Sequence, residues 1–427
     1  MNKEAFRSNI LSGAYDEQLK RVYVTQNAVK EQEKRYAQLF DLFCEEFNCD
    51  SEVTFVSAPG RTEVCGNHTD HNKGKVLAAA INLDAVAACR KVDGNLVSVK
   101  SVGYPMDTID LLDLNVHTEL YSKSSEIIRG MCAGFVERGY KVGGFEAYTT
   151  SNVLSGSGLS SSAAFEVLIG AVLNSLFNDN QVSAEEIAKI AQYAENKFFG
   201  KPCGLMDQMA SSVGSFVKID FEDTEKPVIT KVNFDFAKCG YALCIVDTGG
   251  SHAELTGEYA AVRKNMESVA GFFGKDVLRQ VDEKEFYGNI SAIREKLGDV
   301  PVLRAIHYFE DNKRVDKESE ALEKGDFETF KANVIESGRS SYMYNQNVYP
   351  VSAPTEQNLS VALAVAEQIL KGRGAWRVHG GGFAGTMQAF VPEDLLDKYL
   401  ETMKKIYGEN SCYVLSIRPV GGVEVFK

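Results

Sequence analysis

A glycine- and serine-rich segment that leads directly into an amphipathic helix constrains this chain more than any other feature. Residues 145–152 have the pattern of a β-strand, and residues 153–164 read Val-Leu-Ser-Gly-Ser-Gly-Leu-Ser-Ser-Ser-Ala-Ala. Apolar residues then recur at helical spacing from Phe165 to Leu176, which predicts a helix with one apolar face. A strand, a glycine loop and a helix N-terminus together bind phosphate, because free backbone N–H groups and the helix dipole point at one anion.

Two better-known phosphate loops are excluded by the residues. A Walker A loop requires Ser or Thr after Gly-Lys, but the Gly-Lys pairs of this chain precede Val76, Pro202 and Asp276. A Rossmann fingerprint requires Gly or Ala where this chain has Ser161. A flexible loop that only caps the helix is the alternative. The three consecutive serines argue against it, because hydroxyl groups beside a phosphate are typical of a Mg²⁺–nucleotide site.

Composition and charge limit the class of protein. The chain has 427 residues, enough for two domains, with 44% hydrophobic and 25% charged residues, as in globular proteins. Its net charge of −13 argues against binding to nucleic acid or to an anionic membrane. The scattered cysteines indicate a reducing compartment, and the sequence shows no signal peptide or membrane-spanning run. We therefore expect a cytoplasmic protein, either a monomer or a weak homo-oligomer, whose partners are small molecules.

Helical and strand-like patterns alternate over the whole chain. The clearest helix covers residues 183–200, where Ser183 and Glu186 form a capping box and Gly200 ends the pattern. Strands are predicted far apart in sequence, near residues 213–220, 228–233, 241–247 and 411–418. This distribution predicts an α+β fold with mixed or antiparallel sheets.

A second segment, residues 58–72, concentrates polar side chains between apolar runs. It reads Ala-Pro-Gly-Arg-Thr-Glu-Val-Cys-Gly-Asn-His-Thr-Asp-His-Asn. Dense donors and acceptors on a turn-rich frame suit the hydroxyl groups of a sugar. A metal site at His68, Asp70 and His71 is an alternative, although the spacing matches no common zinc motif. A solvated surface loop is another alternative.

Three further candidates each have a functional and a structural interpretation. Asp207, in a weakly polar segment, is either a general base or electrostatic anchor, or a helix N-cap. Glu195, at the edge of the apolar stripe of residues 183–200, either completes a Mg²⁺ site or faces solvent. The glycine cluster 380–385 indicates close approach to a ligand or strand, or a tight turn.

Taken in order, these segments resemble the GHMP small-molecule kinases, and among them the galactokinases. The family signature, Pro-Gly-Arg followed by Gly-Glu-His-Thr-Asp-Tyr-Asn, is similar to residues 59–72. The family's Gly-Leu-Ser-Ser-Ser-Ala, Gly-Ile-Met-Asp-Gln and Gly-Gly-Gly-Phe-Gly-Gly motifs are similar to residues 158–163, 204–208 and 380–385. The resemblance implies a two-domain GHMP kinase-like fold with the active site between the domains. We expect these domains at residues 1–225, with an N-terminal extension at 1–32, and at residues 226–427.

The resemblance also implies a reaction and a role for each site residue. The γ-phosphoryl group of ATP would pass to the C1 hydroxyl of galactose, giving galactose 1-phosphate and ADP, with Mg²⁺ as cofactor. Asp207 would be the catalytic carboxylate, and Arg61 would stabilise charge beside it. The sugar would be held by Asn67, His68, Asp70, Gly204 and Tyr259. The phosphates would be cradled by Gly156, Ser157, Gly158, Leu159, Ser160, Ser161 and Ser162. Magnesium would be held by Ser161 and Glu195.

The chain departs from the family motif at positions that bear on the substrate. The family usually has Asn where this chain has Glu63, and Glu where it has Asn67. An amide both donates and accepts, and it would repel a C6 carboxylate less than Glu does. Galacturonate, arabinose and N-acetylgalactosamine are therefore alternative substrates. Residues 124–130 lack the aromatic residue that the family places near adenine, which leaves the adenine contact open.

A sugar and ATP sensor without turnover is an alternative of a different class. Such a protein is expected to lose part of the loop chemistry. The sequence disfavours it, because the serines of the loop, Glu195, Arg61 and Asp207 are all present.

Overall fold

The structure is a computed structural model that describes residues 3–47, 52–153, 158–250, 255–383 and 385–426. The strands are β1 Thr54–Cys65, β2 Lys75–Lys91, β3 Leu96–Ser101, β4 Met106–Asp110, β5 Phe145–Ser151, β6 Phe216–Asp220, β7 Val228–Val232, β8 Tyr241–Asp247, β9 Ala375–Val378, β10 Thr386–Pro392, β11 Cys412–Leu415 and β12 Val423–Phe426.

Helices surround these strands. The α-helices are α1 Lys3–Leu11, α2 Asp16–Tyr23, α3 Gln26–Phe47, α4 Ser124–Glu137, α5 Ser161–Phe177, α6 Ala184–Tyr193, α7 Met206–Val213, α8 Thr256–Phe272, α9 Glu283–Gly288, α10 Ile290–Leu297, α11 Asp299–Glu323, α12 Phe327–Ser340, α13 Asn358–Leu370 and α14 Leu396–Tyr407. Short π-helical turns at Ala194–Phe199 and Ser341–Asn345 continue α6 and α12. Short 3₁₀ turns lie at Asp70–Asn72, Thr118–Leu120, Phe236–Lys238, Leu278–Gln280 and Glu393–Leu395.

The strands form two sheets. The first has eight strands in the order β12-β1-β2-β5-β3-β4, with β6 paired to β2 and β7 paired to β6. The second has four strands in the order β11-β8-β10-β9. Every pairing is antiparallel except that between β3 and β5. The predicted α+β class with mixed and antiparallel sheets is therefore confirmed.

The central strand of the first sheet, β2, is long enough to pair with three neighbouring strands. Its first residues pair with β6, its last residues pair with β5, and β1 runs along the opposite edge. Small and β-branched residues fill this strand, and most of it is buried. A strand that is covered on both faces contacts no water, so its side chains are mostly apolar along its whole length. Residues of α4, α5 and α6 pack in the same core as β2.

The predicted helix at residues 183–200 is present as α6 and the π-helical turn that follows it. The Ser183 side chain accepts a hydrogen bond from the Glu186 backbone N–H, as a capping box requires. Gly200 ends the segment with φ at +80°, a conformation that favours glycine. The local signals therefore defined both ends of this element.

The N-terminal helices α1–α3 pack on the first sheet as part of its core. Phe6 is fully buried and stacks on Phe55 of β1, with ring centroids 4.9 Å apart. Beneath them, the Asp84 carboxylate accepts hydrogen bonds from Tyr23 at 2.7 Å and from Arg418 at 3.0 Å. The expected extension at residues 1–32 is thus joined to the rest of the protein by apolar contacts and by the buried hydrogen bond from Tyr23 to Asp84.

Strands on both sides of the expected domain boundary share one sheet. β7 and β12 follow residue 225 in sequence, but both belong to the first sheet. The division into residues 1–225 and 226–427 stays a prediction about folding units. Among the described residues, none of the helices has both the length and the apolar character needed to span a membrane.

Candidate active site

An arginine and an aspartate from distant parts of the chain form a bidentate pair. Arg61 Nε lies 2.8 Å from Asp207 Oδ1, and Arg61 Nη2 lies 2.9 Å from Asp207 Oδ2. The Arg61 side chain is 9% exposed and that of Asp207 is 31% exposed. Paired N–H donors fix the plane of the carboxylate as well as its charge. Asp207 is the second residue of α7, whose N-cap is Leu205, so the alternative that Asp207 is an N-cap is wrong.

The described end of the glycine- and serine-rich loop meets this pair. Arg61 Nη1 donates to the Gly158 carbonyl, and Ser160 Oγ donates to Asp207 Oδ2. The Arg61 backbone N–H donates to the Leu159 carbonyl at 3.0 Å. This close approach needs glycine at position 60, since a Cβ there would lie 2.6 Å from the Leu159 oxygen.

The N-terminus of α5 opens beside the same loop. Ser161 begins the helix and is half-buried, whereas Ser162 is exposed. Ser160 precedes it in the left-handed conformation, with φ at +58°. The helix has 17 residues, so its free N–H groups and dipole favour an anion at this end. Gly156 and Ser157, also expected in the cradle, lie outside the described residues.

Glu195 is buried behind this loop, so the alternative that it faces solvent is wrong. It is 2% exposed. Its Oε1 accepts from Lys201 Nζ at 2.9 Å, and its Oε2 accepts from Gln208 Nε2 at 2.8 Å. Gln208 Nε2 also donates to Glu166 Oε2 at 3.0 Å. The two carboxylates therefore lie close together, and burial followed by the charge of Glu195 raises the pKa of Glu166 well above its usual range.

The two predicted Mg²⁺ ligands, Ser161 and Glu195, are of the chemical type that this cation binds. Mg²⁺ is commonly held by one or two carboxylates together with substrate phosphates and water. Glu195 carries a carboxylate and Ser161 a hydroxyl, which are oxygen ligands of the kind that Mg²⁺ takes. Both Glu195 oxygens accept hydrogen bonds from the protein, from Lys201 and Gln208. Glu166 Oε1 is buried without a hydrogen-bond partner in the described residues, which also favours a nearby cation. The donor chemistry fits magnesium.

Two of the expected sugar ligands come together beside the start of α7. A Cβ on Gly204 would lie 3.1 Å from Asp70 Oδ2. Both residues line a cavity of about 320 Å³ that also includes His71 and Arg263. The cavity adjoins the first turn of α7, where Asp207 lies, and it has room for a substituted monosaccharide.

The other three expected sugar ligands contact the late glycine segment, residues 380–385. Asn67 Nδ2 donates to the Gly380 carbonyl at 2.7 Å, and His68 Nε2 lies 2.8 Å from the Gly381 carbonyl. Tyr259 O–H donates to the Gly382 carbonyl at 3.0 Å. These bonds hold the segment in place. Burial lowers the pKa of His68 to about 4, so His68 is neutral at pH 7.

The glycine segment brings the two sheets together at the site. It connects β9 to β10 of the second sheet, while Arg61 lies on β1 of the first. Thr62 Oγ1 lies 3.1 Å from His379 Nε2 across this junction. The late glycine segment therefore joins the second sheet to β1 of the first, next to Arg61. Among the described residues, no group of three His, Cys, Asp or Glu side chains could hold a metal ion, which argues against the metal alternative at His68, Asp70 and His71.

A second cavity, of about 400 Å³, opens at the N-terminus of α5. Its apolar lining includes Val102, Tyr104 and Phe165, and Ser161 forms its edge toward the loop. Ser124 Oγ donates to Asp107 Oδ2 at 2.7 Å on another wall. An apolar cavity with a few polar groups beside a helix N-terminus is suited to a nucleoside.

Sequence reasoning missed several residues of this site. Glu166 lies on the apolar helix α5, where a buried acid is itself a signal. Lys201 adjoins Gly200, but nothing in the sequence pairs it with Glu195. Tyr104 comes from the turn between β3 and β4, and only the fold brings that turn to α5.

The comparisons with known proteins agree with the geometry. The family model described as GHMP kinases N terminal domain matches residues 126–215. The model described as galactokinase galactose-binding signature matches residues 41–91. The first contains the loop, α5, Glu195 and Asp207, and the second contains Arg61 through Asp70.

Solved structures show the same architecture. The structure of Lactococcus lactis galactokinase complexed with galactose has a TM-score of 0.75 and 25% identity, over 91% of this chain and 100% of that one. Methanococcus jannaschii mevalonate kinase has a TM-score of 0.61 and 13% identity, over 86% of this chain and 99% of that one. The D-glycero-D-manno-heptose 1-phosphate kinase from Bacteriodes thetaiotaomicron has a TM-score of 0.57 and 14% identity, over 87% and 98% of the two chains. At these lower identities the last two show the fold alone.

Proposed function

We propose that this chain, a GHMP kinase with a galactokinase signature, transfers the γ-phosphoryl group of ATP to the C1 hydroxyl of galactose. The products are galactose 1-phosphate and ADP. The observation that carries the proposal is the Arg61–Asp207 pair, which contacts the end of the phosphate-binding loop through Gly158 and Ser160.

The described residues supply the groups that phosphoryl transfer requires. Asp207 accepts the proton of the attacking hydroxyl, and its position beside Asp70 and Gly204 suits a sugar in the adjoining cavity. Arg61 and the N-terminus of α5 stabilise negative charge on the moving phosphoryl group. Positioning and charge stabilisation are the protein's main contributions to this reaction class.

Glu195 and Ser161 would hold Mg²⁺ together with the phosphates of ATP. When bound, Mg²⁺ neutralises charge on the phosphate oxygens. Lys201 Nζ donates to Glu195 Oε1, so the charge of the buried carboxylate is balanced by a cation before the nucleotide binds.

The cavity at the N-terminus of α5 is the proposed site for the nucleoside of ATP. Tyr104 and Phe165 offer apolar surface to the base, and the Asp107–Ser124 pair offers polar groups. This assignment places the α-phosphate near Ser161 and the γ-phosphate toward Asp207, because Ser161 lines the cavity and Ser160 bonds Asp207.

A panel of sugars tests the proposal. Purified protein with MgATP is assayed for ADP release with galactose, arabinose, galacturonate and N-acetylgalactosamine, and ³¹P NMR identifies the phosphorylated position. We expect galactose to be turned over best, at C1. Faster turnover of another sugar would assign a different substrate, and sugar binding without ADP release would identify a sensor. The cytoplasm, where ATP and free sugars meet, is the proposed location.

A further inference from the structure

Asn67 has no hydrogen-bonding capacity left for a ligand. Its Nδ2 donates to Glu63 Oε1 at 2.8 Å and to the Gly380 carbonyl at 2.7 Å. Its Oδ1 accepts from Asn347 Nδ2 at 2.7 Å and from Ser341 Oγ at 3.3 Å. A primary amide has two donor hydrogens and one acceptor oxygen with two lone pairs. All four positions are therefore used within the protein, and the side chain is 1% exposed.

Glu63 lies on the same face of β1 as Arg61. Residues 61–63 pair in regular register with residues 78–80 of β2, so side chains two residues apart point the same way. Arg61 points to Asp207, whereas Thr62, between them, contacts His379 on the other face. Glu63 is therefore directed to the side of the sheet where the sugar site is proposed.

One oxygen of the Glu63 carboxylate is hydrogen-bonded within the protein, and the other can accept a hydrogen bond from a ligand. Oε1 accepts from Asn67 and lies 3.6 Å from Arg377 Nη2. Throughout the described ranges, no group donates a hydrogen bond to Oε2, and the side chain is 8% exposed. Burial raises the pKa of Glu63, while the charges of Arg377 and Arg61 lower it and that of Asp70 raises it.

We infer that Glu63, rather than Asn67, accepts a hydrogen bond from a sugar hydroxyl and makes the site select neutral sugars over uronic acids. A carboxylate oxygen without a donor accepts strongly from a hydroxyl and repels a second carboxylate in a buried site. The inference rests on the proposed function for the identity of the ligand. It argues against galacturonate, which was an alternative substrate because Asn67 repels a C6 carboxylate less than Glu does. The carboxylate of Glu63 supplies the negative charge that Asn67 lacks.

The test measures binding and turnover with galactose and with galacturonate. For the unmodified protein we expect galactose to bind at least tenfold more tightly by isothermal titration calorimetry, and to have the larger kcat/KM. In Glu63→Gln the ratio of the two affinities should fall at least tenfold, since hydrogen bonds to charged groups contribute about 1.5–3 kcal/mol. Glu63→Asp keeps the charge and should still reject galacturonate, although it binds galactose more weakly.

Glu318→Gln is the matched control. Glu318 on α11 is a buried carboxylate like Glu63, and the charge of Arg377 lowers its pKa too, but Glu318 is 0% exposed whereas Glu63 is 6% exposed. This variant should leave the sugar ranking unchanged. An unchanged affinity ratio in Glu63→Gln, or tighter binding of galacturonate by the unmodified protein, would overturn the inference. Because binding is measured separately, a protein that ranks the sugars as expected but releases no ADP would refute only the proposed function.

Discussion

Asp207 receives hydrogen bonds from two kinds of donor, a guanidinium and a hydroxyl, and this combination gives the side chain one orientation. Arg61 occupies both oxygens, and Ser160 adds a third bond to Oδ2. Ser160 can reach Asp207 only because the loop turns back through the left-handed conformation at this residue. At the residue scale, the chemistry of the site depends on a few side chains whose backbone conformations are unusual.

Replacing Asp207 with Asn should abolish most turnover while sugar binding changes little. Asn keeps the size of the side chain but cannot accept a proton, and general base catalysis contributes about 10²–10⁴-fold. We therefore expect kcat to fall by about that factor, measured by ADP release, with sugar affinity measured by calorimetry. Asp235→Asn, at a surface carboxylate 52% exposed, is the control. Turnover near the unmodified rate would remove Asp207 from the mechanism.

Two glycines of the late segment should respond differently to alanine. Both Gly380 and Gly382 have positive φ, but a Cβ on Gly382 would lie 1.9 Å from the Asn347 oxygen, whereas one on Gly380 meets nothing within 4 Å. Gly382→Ala should lower the free energy of unfolding by about 2 kcal/mol or more, from strain and overpacking together. Gly380→Ala should lower the free energy of unfolding by less, because it adds only the backbone strain of a positive φ and no overpacking. Urea denaturation measures both variants, and an equal decrease in the free energy of unfolding for the two would contradict this account.

At the scale of elements, the N-terminal helices close one face of the first sheet. Aromatic rings from α1, α3, β1 and β12 meet there. The sequence offered no purpose for the first thirty residues. The structure shows that they complete a core, because without them the rings of Phe55 and Phe426 would face water.

Phe6→Ala tests whether α1 is part of the cooperative core. The ring is fully buried, and its removal should cost about 3–5 kcal/mol of the free energy of unfolding. Leu11→Ala on the same helix, at a side chain 43% exposed, should cost far less. Urea denaturation followed by circular dichroism measures both. Similar small losses in the two variants would show that α1 detaches independently of the rest.

The turn between β3 and β4 is the element expected to contact the base of ATP. Tyr104 is 68% exposed at the edge of the cavity beside α5. Base–aromatic stacking contributes about 1–3 kcal/mol, so Tyr104→Ala should raise KM for ATP by about fivefold or more. Tyr104→Phe keeps the ring and should keep KM. Leu112→Ala is the control, because Leu112 is exposed and lies outside the cavity lining. An equal rise in KM for ATP in this variant would refute the contact between Tyr104 and the base.

At the scale of the whole molecule, the chain crosses between the two sheets more than once. After the second sheet it returns to the first as β12, beside β1. Arg377 of β9 in the second sheet donates to the Val64 carbonyl of β1 in the first. The buried guanidinium of Arg377 would lose this partner if one sheet unfolded alone, which makes separate unfolding costly.

We therefore expect both sheets to unfold in one transition. The chain has a single tryptophan, Trp376, which lies on β9 of the second sheet. Its fluorescence and the far-ultraviolet circular dichroism should give the same urea midpoint, as two-state unfolding requires. An earlier fluorescence transition would instead support independent domains at residues 1–225 and 226–427.

The sequence by itself determined the α+β class, the ends of helix 183–200 and the start of helix α5 after the glycine- and serine-rich loop. These features depend on local patterns: periodicity, capping residues and glycines at turns. It also suggested that Arg61, Asp207 and the loop share one site, through the order of family motifs, and the structure brings those described residues into contact.

Only the tertiary structure decided which polar groups are satisfied by the protein and which are left for a ligand. Asn67 was expected to hold the sugar, but Ser341 and Asn347, more than 270 residues away, occupy its amide oxygen. Glu63 keeps an open oxygen because its neighbours donate only to the other one. Hydrogen bonds are short-ranged and their partners come from remote segments, so no local pattern records whether a side chain is already satisfied.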